Sequence, residues 1–470
     1  MVAHRGRHLA TGAQALGDLR PQYPPSMRGA IAAGHPLTAE AGARVLREGG
    51  NAVDALLAAA FTAFVTEGPL TGPAGGGLLL VHAEGNETTL LDCFFAVPAR
   101  RLGEMDEVLI DFDDAGTQTF HVGEGSVAVP GLLAGLEDAH RRFATLPWPE
   151  LVEPALGLSR EGVECDAPRA FLHGILEEIL LREEGGRRVY GDRARVATED
   201  LSATLERVRD VGAAAVAELL PEFRDDLVAY EVAERTPVGA VVGDHRVLAA
   251  PAPSRGGRIV VDILESLAKI GGPSLHDEAS AIRLAYGASA RGLMTGTTHV
   301  SVVDASGTAA ALSSTLGSGS GVFRGGAQLN NMLGELDVIG HGPREAGTRL
   351  PTMLSPTLVL REARPRLVLG SAGSVRLAGA IAQVAWRVVA QGLAVDEAID
   401  APRMHVDGST LHLEGGWDGD LGEHRDAWEV VRWAGQNLFF GGVQAVELRH
   451  DGSLAAAGDP RRGGAGVVVP

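Results

Sequence analysis

Gly296-Thr297-Thr298-His299-Val300-Ser301-Val302-Val303-Asp304 is the stretch on which the reading of this chain turns. Its second half has the β-branched composition of a strand. A turn at Asp304-Ala305-Ser306-Gly307 and a second run from Thr308 to Leu316 follow, so the two runs predict a hairpin. The head of the strand is chemically richer. If the bond before Thr297 is cut, that threonine carries a free amine and a hydroxyl on one residue. An α-amine has a pKa of roughly 7.7 to 8.0, close enough to neutrality to act as general base for its own side-chain oxygen. Gly296 suits such a break, because glycine tolerates backbone torsions that other residues resist. Read this way, the chain is an enzyme precursor.

Working outward toward the N-terminus, residues 1–27 are aperiodic and read as an extended arm. Gly29 opens a short strand. Thr38 is placed to cap a helix running to Glu48, which Gly49-Gly50 ends. Asn51 suits the next cap, with Asp54 three positions on, and Ala52 to Thr66 is apolar nearly all round, as expected of a helix inside a layered fold. A turn over Pro69 to Gly77 leads to a strand at Leu78 to Val81, paired with Thr88 to Leu91 across Glu84-Gly85-Asn86. Helices are expected over 130–143, 148–160, 168–181, 199–220, 259–269 and 277–291. Toward the C-terminus, strands are expected over 357–360 and 366–369, and helices over 377–391 and 395–401. These elements suit an α/β (α+β) four-layer αββα sandwich, in which two stacked sheets lie between helices. Periodicity alone does not select it.

Composition narrows the function. A chain of 470 residues with 45% hydrophobic and 21% charged residues fits two globular domains or one large layered unit. A net charge of -19 argues against nucleic acid or an anionic membrane as partner, since both need clustered Lys and Arg. Cys93 and Cys165 are too few for a disulfide framework and lack metal or redox spacing. The first residues carry positive charge without the apolar core of a secretion signal, and no run approaches the length of a membrane span, so a cytoplasmic location is expected. The histidines show no His-Glu-x-x-His spacing, so neither a metal nor another cofactor is expected. Gly317-Ser318-Gly319-Ser320-Gly321 lacks the Gly-Lys-Ser/Thr of a phosphate loop and reads as a flexible loop near the site. Asp111-Phe112-Asp113-Asp114 lacks the terminal glutamate of a calcium loop and reads as a solvated acidic turn.

A series of motifs carries a resemblance. In order they are His35-Pro36-Leu37-Thr38-Ala39-Glu40-Ala41-Gly42, Gly49-Gly50-Asn51-Ala52-Val53-Asp54-Ala55, Gly75-Gly76-Gly77 and Val127-Ala128-Val129-Pro130-Gly131 with Leu146-Pro147-Trp148. Pro253-Ser254-Arg255-Gly256-Gly257, the Thr297 run, Leu329-Asn330-Asn331, Ser355-Pro356-Thr357, Ala401-Pro402-Arg403 and Gly458-Asp459-Pro460-Arg461 continue it. Together they closely resemble the γ-glutamyltransferase (glutathione hydrolase) family of N-terminal-nucleophile hydrolases over nearly the whole chain. The resemblance implies the αββα fold of that class. It also implies self-cleavage between Gly296 and Thr297 into a large subunit, 1–296, and a small subunit, 297–470, that stay together as one unit.

Carried over residue by residue, the resemblance makes Thr297 the nucleophile and Thr315 the neighbour that hydrogen-bonds its amine. Gly373 and Ser374, in Gly370-Ser371-Ala372-Gly373-Ser374, supply the backbone amides of the oxyanion hole, although the family usually has two glycines there. The substrate pocket departs further. Phe94 stands where the family has the arginine that grips a substrate carboxylate, and phenylalanine cannot make that bidentate pair. Gly317 replaces an asparagine, Met332 replaces a polar residue, Glu335 is the remaining candidate for holding an α-amine, and Thr352-Met353 stand in place of two serines. The chemistry is kept while the recognition is changed. The first reading is an autoprocessing amidohydrolase or acyltransferase that cleaves γ-glutamyl amides such as glutathione through an acyl-enzyme on Thr297. The alternative is a homologous amidohydrolase, like acylases or oxamate amidohydrolase, for a non-glutamyl acyl amide. A third, weaker on these motifs, is an unprocessed non-catalytic relative. The partners expected are a small-molecule amide and the chain's own two subunits, with homo-oligomerisation left open.

Overall fold

The computed structural model describes residues 28–83, 87–111, 117–287, 296–417 and 419–470. The expected arm at 1–27, the turn at 84–86, most of the acidic turn after Asp111 and the segment 288–295 lie outside the described residues.

Two antiparallel sheets face each other. The first runs edge to edge through Ala465–Val469, Gly29–Ala33, Gly296–Asp304, Ala309–Gly317, Gly76–His82, Thr89–Cys93 and Ala233–Arg235. The second runs through Leu454–Gly458, Gly442–Leu448, Arg364–Ala372, Thr357–Arg361, His245–Ala249 and Val238–Val242. The hairpin foreseen at Thr297 therefore forms the middle of the first sheet, and both sheets draw strands from either side of residue 296.

Helices close the outer faces and complete the four-layer αββα sandwich. Ala52–Thr66 lies on the first sheet between the helices Pro36–Arg47 and Trp148–Glu161, and all of its residues are buried. Its apolar circumference has this cause: a helix covered by a sheet on one side and helices on the other has no wet face. Gly256–Ile270 and Leu377–Val389 cover the second sheet, with Leu275–Tyr286 packed on the former. Alternation along Gly296–Asp304 then fixes which side chain sees which layer. Val300 and Val302 join the apolar cluster under the helices, whereas Val303 joins the cluster between the sheets. By the same period Thr298 points to the helices and Thr297 to the gap between the sheets.

Asn51 caps its helix as expected, accepting from the N–H groups of Val53 and Asp54 in a capping box with Asp54. The preceding helix begins earlier than Thr38. Its cap is His35, whose Nδ1 accepts from the Leu37 N–H at 3.0 Å, with Pro36 in the first turn where a missing N–H costs nothing. Thr38 is freed for another task described below. The helix expected over 168–181 divides into Ala167–Ile175 and Glu177–Leu180. The one expected over 199–220 stops at Val211, because Gly212 takes a positive φ of 62° that a helix cannot continue through. The Gly317 to Gly321 loop is not a loose surface loop. It is buried throughout, with Ser318 held by Asn331 and Glu335.

Candidate active site

Thr297 is 2% exposed and lies where the hairpin register slips: Gly296 pairs with Gly317, but Thr298 pairs with Ser314. Such an irregularity re-aims side chains at a strand end. The Thr315 hydroxyl donates to the carbonyl oxygen of Gly296 and accepts from the Gly317 N–H at 2.8 Å. This differs from the expected bond to the Thr297 amine, since in the uncut chain that nitrogen belongs to a peptide. A donor on the Gly296 oxygen withdraws electron density from the carbon that a Thr297 hydroxyl would attack.

The residues singled out from the sequence converge. Phe94, Thr297, Thr315, Gly317, Met332, Glu335, Thr352, Met353 and Ser374 line one compact cavity of about 20 Å³, together with Val338, Leu354 and Leu377. Gly373 is adjacent in sequence but is not among the lining residues. The two loop residues are both unusual: Gly373 has φ 137° and Ser374 φ 58°, a left-handed conformation that a serine adopts only at a cost. The glycine that the family usually has at that position is thus matched by a glycine-like backbone.

Several motif residues build the walls rather than touch the cavity. Asn330 bonds the carbonyls of Ala74 and Ala128 and accepts from the Ala128 N–H, and Asn331 bonds Ser318 Oγ at 2.7 Å. Ser254 Oγ donates to the Leu354 carbonyl at 2.6 Å and the Arg255 N–H to that of Thr352 at 2.8 Å, fixing the Thr352-Met353 wall. His299 lies between the sheets, bonded to Ser313 and Ser301, and burial pushes its pKa down to about 3, so it is a neutral spacer. Gly370 exists for that ring: a methyl built there would overlap it. Arg403, Asp459, Arg461 and Glu414 form a buried ion cluster, with Arg403 to Asp459 and Arg461 to Glu414 each 2.6 Å.

The electrostatics of the compact cavity differ from those of a site for an amino-acid headgroup. Among the described residues that line it none is basic. Arg349 is close by, but it is bound to the Phe94 and Glu231 carbonyls and lies 3.4 Å from Asp92, which Arg235 also pairs. Glu335 is the one acid among them, accepting from the Ser318 N–H at 2.8 Å and Oγ at 2.7 Å. Burial raises its pKa to about 7, against the pull of those donors.

Sequence reasoning missed a second cavity, of about 60 Å³, which also has Thr297 in its wall. Its other residues include Thr298, Glu67, Arg169, Phe171, Leu438 and Arg462. Glu67 is fully buried. It accepts from the Thr298 hydroxyl at 2.5 Å and from Thr38 at 3.0 Å, and burial holds its pKa above the usual carboxylate range. Gly34 is required beside it, since a side chain there would overlap the carboxylate. No periodic signal marks Glu67, but Pro36, a residue suited to the first turn of a helix, is a signal in the sequence for a start earlier than the expected Thr38 cap, which leaves Thr38 free to reach it. Among the described residues no group of His, Cys, Asp and Glu could hold a metal, and no helix is long and apolar enough to cross a membrane.

A threonine heading a strand in the gap between two sheets, beneath helices on both sides, defines an N-terminal-nucleophile hydrolase. The fold agrees with the crystal structure of cephalosporin acylase from Bacillus halodurans, with a TM-score of 0.80 at 18% identity over 96% of this chain and 99% of that one. Residues 38–218 and 285–469 match the Gamma-glutamyltranspeptidase family model, and the chain belongs to that family. It is 26% identical to the glutathione hydrolase proenzyme of Escherichia coli (strain K12) over 92% of this chain and 90% of that protein. It is equally 26% identical to the acylase ACY 1 proenzyme of Pseudomonas sp. (strain SE83), over 94% of both chains. The chain is therefore an enzyme of a family that contains both glutathione hydrolases and acylases.

Proposed function

We propose that the chain cuts itself between Gly296 and Thr297 and that the mature enzyme is an amidohydrolase for amides of a short, uncharged acyl group. In maturation the Thr297 hydroxyl attacks the Gly296 carbonyl carbon, the C–N bond breaks to leave an ester and a free Thr297 amine, and water hydrolyses the ester. Residues 1–296 and 297–470 are then the two subunits. In turnover the same hydroxyl attacks the substrate amide. Its proton passes through the α-amine to the departing amine, and water or an acceptor amine resolves the acyl-enzyme. The backbone N–H groups of Gly373 and Ser374 are assigned to the developing oxyanion, where one donor is typically worth roughly 100 to 1,000-fold in rate.

The observation that carries the choice of acyl group is the wall beside Thr297. Phe94, Met332 and Met353 meet there with no basic residue among the described ones that line it, and a substrate carboxylate buried there would lack a partner. The second reading, a γ-glutamyl amide such as glutathione, is favoured by Glu335 alone, a carboxyl group in the place where an α-ammonium would need one. Turnover of γ-glutamyl p-nitroanilide beside acetyl and butyryl p-nitroanilides separates them. Preference for the simple amides is expected, and Phe94→Arg should raise γ-glutamyl turnover. A strong γ-glutamyl preference, unchanged by altering Phe94, overturns the proposal. Two bands on a denaturing gel, reduced to one by Thr297→Ala, are expected of maturation.

A further inference from the structure

Two cavities meet at Thr297, and an amide attacked there must send its acyl half one way and its amine half the other. The compact cavity has the acyl role in the reading above, on which this inference rests. The larger one remains, and its charges are unevenly satisfied. Arg169 pairs with Asp166 at 2.9 Å and donates to the Gly34 carbonyl at 2.7 Å. Arg461 is held by Glu414 and Asp459. The oxygens of Glu67 are taken by the hydroxyls of Thr298 and Thr38.

Arg462 is different. Among the described residues its Nη2 reaches only the Leu438 carbonyl, at 3.4 Å, and its Nε is buried without a partner. Asp459, the acid whose charge acts on it, is already held by Arg403, Arg461 and the Val443 N–H. The Arg462 stem lies over Gly442, where a built Cβ would fall 2.5 Å from its Cδ, and a Cβ on Gly373 would lie 3.8 Å from Nη2. The guanidinium is thus fixed beside the loop assigned to the oxyanion, on the wall of a cavity that also contains the nucleophile. Pro69, Leu70, Pro168, Leu172 and Leu438 give the wall an apolar stretch, beside the polar side chains of Thr66, His173 and Gln444, and Phe171, also in the wall, is 57% exposed.

We infer that this larger cavity receives the amine half of the substrate and that Arg462 selects amines with an apolar body and a carboxylate. An unpaired guanidinium next to an apolar stretch of wall is the complement of such a molecule, because a carboxylate can accept from two of its N–H groups at once. Arg462 is a specificity residue here. The nucleophile, its proton shuttle and the oxyanion donors remain those already assigned.

The test uses the full chain with Thr297→Ala, which stays uncut, and two amines of similar shape, 4-aminobenzoate and aniline, in binding titrations. A charge-assisted pair predicts that 4-aminobenzoate binds about tenfold or more tightly, and that Arg462→Gln abolishes this preference while leaving aniline binding unchanged. Equal binding of the two amines, which needs no variant to observe, overturns the inference, as does a preference that survives Arg462→Gln. In the active enzyme, Arg462→Gln should raise KM for a 4-aminobenzoate amide about tenfold with kcat retained, and leave the anilide of the same acyl group unaffected. An enzyme inert toward both amides whose uncut form still prefers 4-aminobenzoate overturns the acyl-transfer reading and upholds the binding site.

Discussion

Replacing Glu335 by glutamine should make the protein more stable at neutral and alkaline pH, by an amount the site allows to be worked out. The folded protein holds the Glu335 proton until about pH 7, whereas the unfolded chain releases it near 4.5. Between those values the folded state binds more protons than the unfolded one, so stability falls as pH rises. The step from 4.5 to about 7 corresponds to roughly 3 kcal/mol at about 1.4 kcal/mol per decade of proton affinity, with most of it realised between about pH 5 and 8. The glutamine amide would keep an oxygen to accept from Ser318 and has no proton to lose in this range. Other carboxylates titrate in the same window, so the informative quantity is the difference between variants. Urea unfolding of Thr297→Ala and Thr297→Ala/Glu335→Gln, both single chains, should show a gap that widens by about 2 to 3 kcal/mol from pH 5 to pH 8. A gap that stays constant with pH would refute the reasoning, since it would mean that burial does not hold the proton on Glu335.

Thr315→Val removes the donor on the Gly296 carbonyl and should slow self-cleavage by roughly 100-fold or more, followed on denaturing gels, whereas Thr315→Ser should mature. Gly370→Ala drives a methyl into the His299 ring between the sheets and should cost about 1 to 3 kcal/mol, visible as a lower thermal midpoint. Ser374→Gly relieves a left-handed backbone and should unfold at the same denaturant concentration as the parent or a higher one, while Ser374→Val should be less stable by about 1 to 2 kcal/mol. If valine there proves harmless, the loop conformation is wrong.

The sequence made the centre of the fold legible because the central elements have one-dimensional signals. β-branched runs around Asp304-Ala305-Ser306-Gly307 announce a hairpin, and Asn51 with Asp54 announces a helix start. The compact cavity was legible too, through motifs scattered from Phe94 to Ser374 that come together in space. What stayed hidden depends on long-range geometry. Glu67 ends an apolar helix and has no pattern of its own; its burial follows from Thr298 lying 231 positions away in sequence. Arg462 adjoins an arginine whose partners are all present, and only three dimensions reveal that its neighbour lacks one. The helix expected over 199–220 ends early because hydrophobic spacing does not show which glycine takes the left-handed backbone that Gly212 adopts.

Strands from both sides of residue 296 pair with one another in each sheet, and in the first sheet Gly29–Ala33 is flanked on both sides by strands from beyond it, so a chain cut there would remain two polypeptides joined across both sheets. Neither could leave without dismantling both sheets. Refolding would change its molecularity as a result: the uncut chain could return from denaturant alone, whereas the mature protein would need its halves to find each other. Its persistence would then rest on slow unfolding rather than on ready recovery.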